Sequence, residues 1–225
     1  MQSRWIVRRG RRLIAGAGVV VATGAFAFAQ GDGRPMSPDG STQAQVLGEW
    51  KKPARQAFTL GGESYENGQW IDIEYGRPLK RGRDLFGSGE NYGKATLVGD
   101  QPVWRAGANV ATRLKTSISL SIGGRTVPAG EYTLFIDLKP SAWTLIVSRW
   151  PAQKKYDAND KTALWGAYGY TPDKDVVRTS MALATLPFSV EQLTWSFVDM
   201  TKEGGKLAIM WGTDMASVPF AVVAR

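Results

Sequence analysis

The sequence predicts an all-β chain: a single antiparallel β-sandwich, jelly-roll-like or barrel-like in layout, with one long Gly/Arg-rich loop. Three observations carry that expectation. Apolar residues recur with period two over short runs, Gly- and Pro-containing turn signals separate those runs, and no stretch shows the 3.6-residue period of an amphipathic helix.

The runs follow one another along the chain. Ile71, Ile73 and Tyr75 alternate with Asp72 and Glu74, and Ile118, Leu120 and Ile122 alternate with serines. Tyr132, Leu134, Ile136 and Leu138 share one face of the next run, and Trp143, Leu145 and Val147 share a face of the one after. Val177, Met181 and Leu183 follow, then Leu193, Trp195 and Phe197, then Leu207, Ile209 and Trp211, and last Val218, Phe220 and Val222. Gly123-Gly124, Pro128-Ala129-Gly130, Pro140-Ser141, Leu186-Pro187 and Gly204-Gly205 punctuate them. A Gly-Gly pair between alternating runs suits a two-residue hairpin, whose tight turn needs positive φ. Regular apolar spacing marks Trp143, Trp195 and Trp211 as core.

The two ends of the chain differ in kind. Residues 1–29 carry Arg4, Arg8, Arg9, Arg11 and Arg12 with no acidic residue, then an apolar run from Leu13 to Ala22, then Ala27-Phe28-Ala29. A basic start, a short apolar stretch and an A-x-A ending define a signal peptide. The competing reading, a membrane anchor, needs about 20 mostly apolar residues, and Gly16, Gly18, Thr23 and Gly24 dilute this run. The expectation is therefore an exported protein, periplasmic or extracellular, with no stable membrane anchor after cleavage. Arg11-Arg12 leaves the twin-arginine route open beside ordinary Sec export. Residues 30–55 lack periodicity and read as a flexible leader. Residues 56–225 form the expected sandwich domain.

Cleavage also changes the charge. The whole chain holds 28 Lys+Arg against 20 Asp+Glu, a net of +8. Five arginines leave with residues 1–29, so 23 remain against 20, a net of +3. A strong basic excess invites a nucleic-acid reading because Lys and Arg neutralise phosphates; after cleavage no nucleic-acid partner is expected.

The chain has no Cys and no His. Disulfides, thiolate or imidazole nucleophile systems, and zinc or copper sites of the usual N/S type are excluded. Carboxylate, Tyr, Lys and Ser-Lys chemistry and oxygen-ligated metals remain open, but no cofactor and no metal site is predicted. Asp157 with Asp160, or Asp173 with Asp175, offers oxygen ligands for Ca²⁺, yet the segment 157–161 has neither the Gly turn nor the closing Glu of a calcium loop.

Residues 76–112 are too long for a simple connection, and they hold Phe86, Tyr92 and Trp104. Here the sequence resembles a known family. The motifs are Tyr75-Gly76-Arg77-Pro78, Lys80-Arg81-Gly82-Arg83-Asp84-Leu85-Phe86-Gly87, Tyr92-Gly93-Lys94 and Trp104-Arg105-Ala106-Gly107-Ala108-Asn109. Ala129-Gly130-Glu131-Tyr132-Thr133-Leu134-Phe135 and Trp165-Gly166-Ala167-Tyr168-Gly169-Tyr170 continue the series in order. Together they resemble the bacterial family catalogued as Domain of Unknown Function 2911. The resemblance implies an exported, mostly-β protein and transfers no catalytic residue.

Three constellations are candidates for function. Arg77, Arg83 and Arg105 with Asn109 suit an anion pocket, because the guanidinium fork matches carboxylate or phosphate. The competing role is to tie down loop carbonyls. Trp104, Trp165, Tyr168 and Tyr170 suit stacking on a sugar or aromatic ring; the competing role is packing. Asp72 and Glu74 share one strand face at roughly the separation of a glycosidase pair; the competing role is a solvated outer face. The sequence thus points first to a non-catalytic binding module for a glycan or small anionic ligand. A His-free carboxylate hydrolase and a structural envelope or assembly protein are the alternatives.

Overall fold

Twelve strands, all paired antiparallel, organise the described residues. The computed structural model describes residues 37–51, 64–99 and 101–223. The expected signal peptide, residues 1–29, and the leader residues 30–36 and 52–55 lie outside them. In chain order the strands are β1 Asp39–Val46, β2 Glu49–Lys51, β3 Ser64–Glu66, β4 Gln69–Gly76, β5 Thr112–Thr116 and β6 Leu120–Ile122. They continue with β7 Arg125–Val127, β8 Gly130–Asp137, β9 Thr144–Ser148, β10 Asp175–Ser180, β11 Ala182–Thr201 and β12 Gly204–Val222. Two single 3₁₀ turns, Gly89–Asn91 and Pro172–Lys174, are the only helical elements among the described residues.

A six-stranded sheet runs β1-β4-β5-β8-β9-β10, and a four-stranded sheet runs β11-β12-β6-β7. Their inner faces meet in one core. Ile71, Ile73, Leu114, Leu134, Ile136, Leu145 and Val147 of the first sheet face Leu120, Ile122, Trp195, Leu207, Ile209 and Phe220 of the second. Each fully buried aliphatic side chain contributes about 1.5–3 kcal/mol relative to exposure, so the alternating runs suffice to hold the layers together. The architecture is a sandwich, not a closed barrel. The Gly123-Gly124 pair behaves as expected: both glycines have positive φ, 57° and 73°, and Ile122 pairs with Arg125 across the turn.

Four features depart from the sequence reading. The stretch 37–51, placed in the flexible leader, instead carries β1 and β2. β1 has no apolar alternation to announce it; only Ala44 and Val46 are buried, and its strand geometry comes from pairing with β4, Asp39↔Gly76 through Val46↔Gln69. β5 holds a single buried aliphatic, Leu114, too few to set a period. The last two expected strands are one, β12, and its buried apolar parity switches from odd (Leu207, Ile209, Trp211) to even (Ala216, Val218, Phe220). The switch needs a slip in the ladder, which occurs beside Gly212 at φ 64°, where the β11 partner jumps from Val190 to Thr185. Leu183, expected on the face of Val177 and Met181, is 41 % exposed, because the chain crosses from one sheet to the other at Met181 and changes face.

β8 is buried on both sides. Leu134 and Ile136 enter the main core, while Phe135, with Ile146 of β9, enters a second cluster with Val103, Leu164, Ala167 and Tyr170. That cluster lies beneath the long β9–β10 connection, residues 149–174. The other long connection, 77–111, is pinned to the end of β8: Trp104 and Ile136 exchange both backbone bonds, at 2.8 and 2.9 Å. The two connections carry the candidate sites.

Candidate functional site

Residues 104–109 form a tightly fastened turn. Ala106 and Asn109 both adopt left-handed backbone, φ 53° and 60°, which costs a non-glycine residue of order 1–3 kcal/mol and persists only when the surroundings enforce it. The enforcement is visible. The Ala106 carbonyl accepts from the Trp195 indole at 2.9 Å and from the Thr112 hydroxyl at 3.1 Å. The Ala108 amide donates to Gly76 at 3.2 Å, and Asn109 Nδ2 donates to the Ser37 carbonyl at 3.2 Å. This turn holds Arg105, which is 7 % exposed and donates through Nη1 to the Asn109 carbonyl at 2.6 Å. Burial pulls the Arg105 guanidinium below its usual value, and contact with Tyr168 opposes the shift.

Arg105 opens onto a cleft of about 420 Å³ that Arg81, Arg83, Trp104, Asn109 and Trp211 also line. Arg83 donates Nε to the Lys80 carbonyl at 3.0 Å and Nη2 to the Leu79 carbonyl at 2.6 Å. Its guanidinium carbon sits 5.5 Å from the centre of the Trp211 ring. Neither Arg83 nor Arg105 has a carboxylate partner among the described residues, and no Asp or Glu lines the cleft. Backbone carbonyls therefore fix both guanidinium planes without neutralising them. Trp211 Nε1, buried, has no hydrogen-bond acceptor among the described residues.

Four expected site residues thus meet: Arg83, Trp104, Arg105 and Asn109. Two corrections accompany them. Arg77 does not line this cleft; its side chain packs on Gly40, where a Cβ would stand 2.0 Å from Arg77 Cδ, and its Nε is buried without an acceptor. Trp104 offers no free face for a ligand ring. It is 2 % exposed, stacked with Trp211 at 6.1 Å and edge-on to Phe86, and so forms part of the core behind the arginines.

The remaining aromatic candidates divide. Trp165 is half-buried and Tyr168 is 47 % exposed; both line a separate cleft of about 560 Å³ on the β9–β10 connection. Tyr170 belongs to the fold instead. It is 8 % exposed, packs 4.9 Å from Phe135, donates its hydroxyl to Asp175 Oδ2 at 2.7 Å and accepts from Arg178 Nη1 at 2.9 Å. Burial first, then the bond to Asp175, pushes the Tyr170 phenol well above its usual value of 10.0. A folded-state value above the unfolded one stabilises the native chain below pH about 10, and that contribution is lost as pH rises through the folded value. Tyr170→Phe is therefore expected to flatten the loss of stability above pH 10 while costing about 1 kcal/mol at neutral pH, read by denaturant titrations at both values.

Asp72 and Glu74 do not share a cleft: Glu74 borders a cavity of about 430 Å³ with Tyr75 and Arg113, and Asp72 does not. Both lie on the outer face of the six-stranded sheet, opposite Lys115 and Arg113. Glu74 Oε1 takes the Lys115 ammonium at 2.9 Å, and Arg113 also bridges to Glu131. This is an ordinary cross-strand charge ladder. Asp84 and Asp214 interact as like charges, with burial the larger cause of a raised Asp214 value, but neither lines either cleft. No cluster of three or more metal-ligating side chains occurs among the described residues.

A family model described as "Protein of unknown function (DUF2911)" matches residues 62–220. The chain belongs to that family. The DUF2911 match begins just before β3 and ends within β12, so the lining of both clefts falls inside the family domain except for Ser37. No curated protein and no solved structure matches the chain. The sequence reading missed Arg81, which shares the left-handed Arg81-Gly82 turn, φ 52° and 67°, and reaches the cleft from the edge beside Glu191. Trp211 is core, as its spacing predicts, yet it also borders the cleft because β12 slips at the adjoining Gly212.

Proposed function

We propose that this DUF2911 chain is an exported, non-catalytic binding module whose ligand is a small anion of the carboxylate or phosphate class. One observation carries the reading: Arg83 and Arg105, whose guanidinium groups are held by carbonyls with no carboxylate partner among the described residues, line a single cleft with no acidic side chain in its described lining. A guanidinium held by one or two carbonyls keeps further N–H donors for an incoming oxyanion. Each charge-assisted bond so formed contributes about 1.5–3 kcal/mol. Asn109 acts indirectly, through the carbonyl that orients Arg105.

Arg83 is the informative position, because it is exposed and its removal leaves the packed turn at Arg105 intact. Titration of the full chain with inorganic phosphate and with citrate at low ionic strength is expected to raise Tm with ligand concentration, as mass action requires. Arg83→Gln is expected to weaken both by about tenfold or more, and 0.5 M salt to weaken both in the parent chain. Absence of any anion-dependent Tm shift in the parent chain, or equal affinity in Arg83→Gln, overturns the assignment.

A further inference from the structure

The second cleft, on the β9–β10 connection, has a different chemistry. Its walls are aromatic: Tyr156 is 59 % exposed, Tyr168 is 47 % exposed, and Trp165 stands edge-on to Tyr156 at 5.9 Å. Its rim is polar, with Asp157, Asp160 and Lys161. We propose that this cleft is a carbohydrate site, taking a neutral pyranose ring against Tyr168 or Trp165.

The cleft is built before any ligand arrives. Gln153, 7 % exposed, lies at the centre of the loop that forms its wall. Its Nε2 donates to the carbonyls of Asp157, Asp160 and Ala163 at 3.0–3.1 Å, and its Oε1 accepts from the Asp157 amide at 3.0 Å. The loop ends are clamped by Gln153 N to Leu164 O at 2.9 Å and Leu164 N to Pro151 O at 2.8 Å. Beneath lie Leu164 and Ala167 of the second core. A wall fixed in this way loses little freedom on binding, which favours affinity. At about 560 Å³ the cleft falls within the size range of small-molecule sites.

The ligand class follows from ring geometry and rim charge. The Tyr156 and Trp165 planes diverge by 63°, so that pair forms no slot in which a flat aromatic guest is sandwiched. A pyranose needs only one ring face for its C–H groups, and Tyr168 supplies it; the Arg105 guanidinium lies 6.0 Å from that ring's centre and leaves the exposed part of the ring to solvent. The sugar hydroxyls need acceptors. Asp157 Oδ1 is used by the Asn159 amide and the Asp160 carboxylate by Thr162 and the Ala163 backbone, whereas Asp157 Oδ2 has no partner among the described residues. Two carboxylates and one lysine line this rim, whereas the arginine cleft has no acidic side chain in its described lining.

The test is isothermal titration of the full chain with cellotetraose, maltotetraose and tetra-N-acetylchitotetraose, with adenosine as the flat aromatic control. Saturable binding of at least one oligosaccharide is expected. Tyr168→Ala and Trp165→Ala are each expected to weaken it by about tenfold or more. Arg83→Gln is expected to leave sugar binding unaltered, so this site and the anion site stand or fall separately. Three results overturn the proposal: no saturable binding of any of the three sugars, undiminished binding in Tyr168→Ala, or adenosine binding as tightly as the best sugar.

Discussion

Gly76→Ala is expected to destabilise the protein by about 3 kcal/mol, the upper end of the overpacking range, and to remove anion binding as well. The reason is not conformational freedom but contact. A Cβ at Gly76 would stand 2.0 Å from the Ala108 carbonyl oxygen and 2.8 Å from its carbonyl carbon, both main-chain atoms. A flexible side chain would move aside; this carbonyl cannot move alone, because the Ala108 amide is bonded back to Gly76 and the next residue, Asn109, holds Arg105. The turn must therefore lift from the end of β4, taking the Arg105 guanidinium with it. Gly124→Ala serves as the comparison. Its Cβ meets nothing within 4 Å, so only its left-handed φ of 73° is strained. The cost there is about 1–2 kcal/mol, with phosphate affinity unchanged. Denaturant midpoints and phosphate titrations of the two variants check both halves of the argument. A wild-type midpoint for Gly76→Ala would show that the loop does not rest on β4 as described.

What the sequence discloses follows from how locally each feature is determined. The inner faces of β4, β8, β9 and β12 declare themselves, because Ile71, Ile73, Leu134, Ile136, Leu145 and Val147 alternate over enough residues to set a period. β1 does not: Asp-Gly-Ser-Thr-Gln is polar on both faces, and an edge strand buries too little to leave a pattern. The arginine cleft is half legible. Arg83, Arg105 and Asn109 are recognisable by type and spacing, but their convergence depends on contacts far along the chain: Trp104 with Ile136, Leu79 with Gln192, and Ala106 with Trp195. Nothing local distinguishes Arg77, which turns toward Gly40, from Arg81, which joins the cleft. Tyr168 and Tyr170 differ by two residues and one glycine, yet one is on the surface and the other under it. Their fates are set by Phe135 and Asp175, which the local motif does not contain.

Trp195→Ala is expected to be the most destabilising single change, about 3–5 kcal/mol for a large aromatic removed from a core, since Trp195 is 1 % exposed between the sheets. The more instructive variant is Trp195→Phe, which keeps most of the packing and removes the indole N–H. That donor meets the Ala106 carbonyl at 2.9 Å in a buried setting. Without it, the left-handed Ala106 is held by the Thr112 hydroxyl alone, and a buried carbonyl that loses a partner costs about 1–3 kcal/mol. The strain at Ala106 then has less to balance it, so Arg105, one residue earlier, leaves its fixed plane. Trp195→Phe is therefore expected to weaken phosphate binding several-fold, although Trp195 does not line the cleft. Thr112→Val removes the other donor, and because both act on one carbonyl the two changes are expected to be non-additive by about 0.5 kcal/mol or more. A double-mutant cycle in denaturant, with phosphate affinity measured on all four proteins, decides the point. If stability falls in Trp195→Phe while phosphate affinity stays at the parent value, Thr112, β4 and Ser37 suffice to hold the turn, and the Trp195 indole has no part in shaping the cleft.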